Sequence, residues 1–224
     1  MRIGILGAGQ LGRMLALDGF RLGHDFSLYD PNGKASAGVG TIYNDPDGLV
    51  LDTFLGQVDT ITYEFEHLPL DLVNRIARTK PVHPVPRALE ACQNRRHEKA
   101  LFSELGIPTA PYQIATSADE LREAVEHLEG PVVAKSVTEG YDGKGQAVIR
   151  SPDEARDAWQ SIGHTEVVAE RFVDFKREVS IVAVRGHDDE IAFYPLVENI
   201  HHDGILRFSV APAQKLAPGL EEEA

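Results

Sequence analysis

Apolar positions along this chain alternate between a strand-like and a helix-like period. Arg2–Leu6 is a short β-branched apolar run, and Arg13-Met-Leu-Ala-Leu-Asp-Gly-Phe20 follows it with helical spacing. Asp25–Asp30 and Val58–Glu66 read as two further strands, and Pro81, Pro84 and Pro86 punctuate a connector. Beyond it, Ala88–Leu105 reads as one helix closed by Gly106 and Pro108, and Ser117–Leu128 as another, with Asp119 and Glu120 in its first turn. Pro131–Val137 and Ala147–Arg150 read as a hairpin, Pro152–Ile162 as a helix with Trp159 in the core, and Glu166–Val173 and Glu178–Val184 as strands. This order predicts an α/β chain whose first third is a Rossmann-like parallel sheet.

At 224 residues and 42% hydrophobic content the chain can build about two cores, and the connector predicts domains at 1–86 and 87–224. A net charge of −13 excludes non-specific binding to nucleic acid or to an anionic membrane as the main activity, although a few converging cations would still bind a phosphate. Cys92 is alone, which excludes a disulfide framework and a multi-cysteine zinc site. The N-terminus lacks a signal-peptide core and no eighteen-residue apolar run occurs, so a soluble cytoplasmic protein is expected.

Gly7-Ala-Gly-Gln10-Leu11-Gly12 sits between a strand and a helix, and Asp30 ends the next strand. Such a loop aims N–H groups at a phosphate, so it fits a dinucleotide, with Asp30 on a ribose, or equally a phosphorylated sugar. Glu64 and Glu66 end the third strand two residues apart, which predicts that they share one side and face the same crevice as Gln10 and Gly12. In the second half, Lys135 lies in a strand before Gly140-Tyr141-Asp142-Gly143-Lys144-Gly145-Gln146. Glycines that free the backbone and lysines that supply charge make a phosphate clamp, while an ordinary glycine-rich hairpin fits the same letters. Arg95 and Lys99 share a helical face, Glu170-Arg171-Phe172-Val173 could offer an apolar slot to a base, and the adjacent His201 and His202 disfavour a metal pair because neighbours face opposite ways.

Together, Gly7–Met14, Thr62–Glu66, Gly140–Gln146 and Glu198–Gly204 closely resemble the 5-(carboxyamino)imidazole ribonucleotide synthase family of the ATP-grasp superfamily, along essentially the whole chain. The resemblance implies a pre-ATP-grasp domain over 1–86 and an incomplete ATP-grasp domain over 87–224, with its large subdomain truncated. It implies ATP-dependent carboxylation of 5-aminoimidazole ribonucleotide by bicarbonate in purine biosynthesis, with Mg²⁺ and possible homodimers. By motif position, Arg95, Lys135 and the lid Gly140, Tyr141, Asp142, Gly143, Lys144, Gly145 and Gln146 would hold ATP phosphates. Glu170–Val173 would frame adenine, Glu178 would take the ribose hydroxyls, and His201 would lie at the nucleotide site. Tyr141, Asp142 and Lys144 would carry catalysis, while Gln10, Leu11 and Gly12 would hold the ribonucleotide phosphate and Glu64 or Glu66 its polar edge.

Two departures stand out. Ser136-Val-Thr-Glu139 lacks the basic residue that relatives often place before the lid, and the family's metal-binding Glu and Asn-Glu segment have no counterpart here. Metal ligands are therefore expected beyond residue 224, and impaired turnover is expected of the 224-residue chain. A formate-dependent glycinamide ribonucleotide transformylase shares the fold but matches Gly140–Gln146 less well. A nicotinamide-dependent dehydrogenase would leave Lys135 and the lid unexplained, and a nucleotide-binding module without catalysis is the third alternative.

Overall fold

The computed structural model describes residues 1–138, 145–163, 165–202 and 204–224, and the chain forms two compact units, Met1–Thr109 and Ala110–Ala224. The first unit therefore extends past the proline connector at residue 86.

In the first unit, β1 (Arg2–Leu6), α1 (Gln10–Arg21), β2 (Asp25–Asp30), β3 (Thr41–Asn44), α2 (Leu51–Gln57), β4 (Thr60–Tyr63) and α3 (Leu70–Ala77) alternate along the chain. The strands form a wholly parallel sheet in the order β3-β2-β1-β4, so β1 has a neighbour on each side. Ile5 and Leu6 are both fully buried, one in each of two core clusters, which explains an unbroken apolar run where a half-exposed strand would alternate. One cluster gathers Ile5, Ala16, Phe26 and Leu28 beside α1, and the other gathers Leu6, Phe54, Ile61, Val73 and Ile76 beside α2 and α3. Each of these side chains larger than alanine contributes roughly 1.5–3 kcal/mol by leaving water. Gly19 lets α1 settle on β2, since a Cβ there would overlap the Phe26 ring.

Asp45 closes the loop from β3 to α2. Its buried carboxylate accepts from the Tyr29 hydroxyl at 2.8 Å and from the N–H groups of Leu49 and Val50 at 2.5 and 3.0 Å. Burial pushes its pKa up, but the Tyr29 and backbone bonds outweigh burial and hold it below the ordinary carboxylate value.

The single helix expected over Ala88–Leu105 is two helices, α4 (Pro86–Gln93) and α5 (Arg95–Glu104). Asn94 is extended, and its side-chain oxygen accepts from the N–H groups of Arg96 and His97 at 2.9 and 3.4 Å. A side chain able to cap a new helix competes here with continuation of the old one.

The second unit begins with β5 (Tyr112–Ala115), α6 (Ala118–His127), β6 (Val132–Ser136) and β7 (Gln146–Ile149), then α7 (Ala155–Ile162) after a 3-10 turn, and β8 (Val167–Arg171). Ser117 and Glu120 form a capping box at α6: the Ser117 hydroxyl accepts from Glu120 N–H at 3.1 Å, and Glu120 reaches back to Thr116 N–H at 2.6 Å. The strands make an antiparallel sheet in the order β5-β8-β6-β7, with α6 and α7 supplying the core beneath one face. Trp159 packs against that core, as expected.

The strand expected over Glu178–Val184 is divided. β9 (Glu178–Ser180) joins β12 (Val197–His202) and β13 (Ile205–Val210), whereas β10 (Ala183–Arg185) pairs only with β11 (Ile191–Phe193) among the described strands. A short helix, α8 (Leu220–Glu223), follows. Among the described residues no helix is long and apolar enough to cross a membrane.

Candidate functional site

In the first unit the chemistry gathers beyond the carboxyl ends of β1, β2 and β4. Gly7 has φ of 110° and Gly9 is the N-cap of α1 without a side-chain bond of its own. The acceptor comes from far along the chain. Glu64, one residue past β4, takes the Gly9 N–H on Oε1 at 2.8 Å and the Gly12 N–H on Oε2. β4 ends at Tyr63, so the period-two relation does not carry on to Glu66, whose Oε1 lies 3.4 Å from His67 Nε2.

Asp30 is also engaged within the chain, accepting from Asn32 N–H at 2.8 Å and Lys34 N–H at 2.7 Å. A hollow of about 400 Å³ opens between Gly7, Gly9, Asp30, Asn32, Lys34 and Glu64. Lys34 there is a cation that the spacing of the glycines gave no reason to single out. Gln10 and Leu11 are exposed at the start of α1, and Leu11 lines a larger, mainly apolar hollow of about 830 Å³ with Met14 and Leu15, where Glu64 also appears.

In the second unit, alternation along β6 buries Val132, Ala134 and Ser136 toward α6 and α7 and leaves Val133 and Lys135 on the opposite, half-open face. The register pairs Val133 with Glu170, Lys135 with Val168, Lys135 with Gln146, and Tyr112 with Glu170. Lys135 and Glu170 are thus diagonal neighbours across two strands, and Lys135 Nζ lies 3.1 Å from Glu170 Oε2. An apolar floor with a cation, a carboxylate and an amide on it suits a ligand that is part flat ring and part anion. The face was not legible from β6 alone, because Val168, Glu170 and Tyr112 join it only through the strand order.

β8 ends at Arg171, and the chain leaves the sheet after it. Arg171 and Phe172 donate their N–H groups to Pro111 and Pro131 carbonyls at 2.9 and 2.8 Å, while among the described residues the Val173 N–H donates to no backbone carbonyl. Phe172 and Val173 are exposed. On the β9-β12-β13 sheet, Glu178 Oε2 lies 3.5 Å from His201 Nδ1, so these two expected site residues are brought together. Arg177, beside Glu178, pairs with Glu198 at 3.3 Å and donates to the carbonyls of Gln214 and Lys215.

Arg95 and Lys99 lie on α5 in the first unit. Gly145 precedes β7 and Gln146 begins it, whereas Gly140, Tyr141, Asp142, Gly143 and Lys144 lie outside the described residues. Among the described residues no group of three or more His, Cys, Asp or Glu could hold a metal ion.

Two domain families match the chain in succession. Residues 100–224 match the ATP-grasp domain family and residues 1–93 the ribonucleotide synthetase preATP-grasp domain. N5-carboxyaminoimidazole ribonucleotide synthase of Pseudomonas aeruginosa is 42% identical over 97% of this chain and 62% of its own length. The crystal structure of the corresponding synthetase from Thermus thermophilus matches with a TM-score of 0.90 and 42% identity, over 99% of this chain and 61% of that one. An Aspergillus clavatus synthase solved with ADP and 5-aminoimidazole ribonucleotide matches at 0.85 and 27%, over 100% and 60%. The chain therefore spans about three fifths of the length of these relatives.

Proposed function

This chain belongs to the ATP-grasp family, and from that membership we propose that the protein carboxylates 5-aminoimidazole ribonucleotide at the expense of ATP. A bicarbonate oxygen would attack the γ-phosphorus, giving carboxyphosphate and ADP. The ribonucleotide amine would then attack the carboxyl carbon, releasing phosphate and leaving the carboxyamino product.

The observation that carries this is the open face of β6 and β8. Lys135 and Glu170 meet there over Val133 and Val168, beside Gln146. Lys135 would turn from Glu170 to the nucleotide phosphates, the Val173 N–H and the apolar floor would take adenine, and Glu178 would accept from the ribose hydroxyls near His201. Phosphoryl transfer asks a protein mainly for orientation and charge stabilisation, which such a face supplies. Tyr141, Asp142 and Lys144 belong to the same proposal through the family's lid. Mg²⁺ would neutralise the phosphates.

The ribonucleotide would enter the hollow between Glu64 and Lys34. A fixed carboxylate suits its amine and a lysine its phosphate. The test is phosphate release from ATP, Mg²⁺ and bicarbonate by the protein at the full length of its relatives. Release that depends on 5-aminoimidazole ribonucleotide supports the proposal; release indifferent to it, or none, overturns it.

A further inference from the structure

The glycine-rich loop carries an unexpected occupant. α1 has no acidic residue in its first turn and its N-cap, Gly9, offers no side chain, so its exposed N–H groups call for an anion from elsewhere. Glu64 answers with both carboxylate oxygens, one on Gly9 and one on Gly12. Its own backbone is pinned, since Glu64 N–H donates to the Leu6 carbonyl at 3.1 Å.

The glycines themselves point the same way. A Cβ on Gly9 would stand 2.9 Å from Glu64 Oε1, one on Gly12 would stand 2.6 Å from Oε2, and one on Gly7 would overlap the Glu64 side chain. All three glycines of the Gly-x-Gly-x-x-Gly spacing thus border one carboxylate, Gly7 being required also by its φ of 110° and Gly12 also by Leu28 and the Gly7 carbonyl. In a dinucleotide site the same spacing lets backbone approach a pyrophosphate. Here Asp30, the other half of that fingerprint, is bound by the Asn32 and Lys34 N–H groups.

We propose that the loop Gly7–Gly12 is the receptor for the protein's own Glu64, which makes Glu64 a positioning residue that keeps phosphates and dinucleotides off the N-terminus of α1. An incoming phosphate would meet two engaged donors and a like charge. Glu64, held by two bonds, keeps further lone pairs for a donor in the hollow it lines with Lys34. The ribonucleotide phosphate accordingly does not sit on Gln10, Leu11 and Gly12, and the assignment holds whatever reaction the protein performs.

The test uses inorganic phosphate and NADH as probes of the 224-residue chain, followed at the backbone amides of Gly9 and Gly12 by NMR, without ATP. In the unaltered chain both amides should exchange slowly with solvent, and the Gly12 amide, which does not line the hollow with Lys34, should not shift with either probe. Glu64→Ala should open the site, shifting both amides with phosphate and tightening phosphate binding by about tenfold or more. Glu64→Gln, which keeps one acceptor oxygen, should gain less. A merely structural role would give loss of stability without this gain. If Glu64→Ala does not fold, the unaltered chain decides alone: two protected amides with an unresponsive Gly12 support the proposal, whereas fast exchange of either amide or a Gly12 shift with either probe overturns it. Failure of the carboxylation assay leaves this outcome untouched, and the reverse also holds.

Discussion

Lys135 Nζ lies 3.1 Å from Glu170 Oε2 although 35 positions separate them, because antiparallel β6 and β8 set the two side chains diagonally on one face. The pair is partly exposed, at 31% and 13% of its side chains, so its direct worth to stability is about 1 kcal/mol or less. Lys135→Ala should therefore leave urea unfolding nearly unchanged. It should weaken binding of a non-hydrolysable ATP analogue by about tenfold or more, read by calorimetry, since a charged contact to phosphate is worth roughly 1.5–3 kcal/mol. Equal affinity in the variant would remove Lys135 from the nucleotide site.

Gly12→Ala should destabilise the first unit by about 1–3 kcal/mol, because the new methyl would stand 2.6 Å from Glu64 Oε2 and 3.0 Å from Leu28 Cδ2. Adding Glu64→Ala should recover part of that loss, and denaturant titration of the double-variant cycle measures how much. Simple additivity would show that Glu64 is not what Gly12 accommodates.

Acid should weaken the edge of the parallel sheet through Asp59. The Arg2 side chain, donating from Nε at 3.1 Å, and then the Arg2 N–H at 2.9 Å hold the Asp59 carboxyl down to about 2. A carboxyl depressed in the folded state contributes stability that is complete above its unfolded value of about 4 and disappears as pH falls toward 2. Asp59→Asn should accordingly unfold at lower urea than the parent at pH 7, with the gap closing near pH 2. The pair is exposed, so the gap should also shrink in high salt.

Asn94→Ala should cost about 1 kcal/mol by removing the acceptor for the Arg96 and His97 N–H groups. Amide exchange in the first turn of α5 should quicken while α4 is unaffected. Unchanged exchange at Arg96 and His97 would mean that the break between the helices is fixed by packing instead.

Local chemistry was legible in the sequence where it was decided locally. The β-branched run of β1, the glycine loop and the Ser117 cap all announce themselves within a few residues, and the structure has them. The break at Asn94 was hidden because the apolar spacing runs on through it, so the competing cap has no periodic signature. The split between β9 and β10 was hidden for a related reason: Val179–Val184 is nearly continuous in β-formers, and only strand pairing separates its halves. Lys135 and Glu178 could be singled out by type, but their partners Glu170 and His201 emerge only from register. The role of Glu64 was least legible, since a loop that fits a phosphate fits a carboxylate equally well.

The contacts around Glu64 also bear on how this sequence can drift. Gly7, Gly9 and Gly12 all border the Glu64 side chain, but only at Gly9 are all the nearest atoms to an added Cβ those of Glu64 with no backbone conformation that itself demands glycine. A lineage that loses the glutamate would free Gly9 to become alanine or serine, whereas Gly7 would stay glycine for its φ of 110° and a Cβ on Gly12 would still meet Leu28 at 3.0 Å and the Gly7 carbonyl at 3.2 Å. Gly9 and Glu64 should therefore drift as a pair, while Gly7 and Gly12 should persist even where the glutamate is lost.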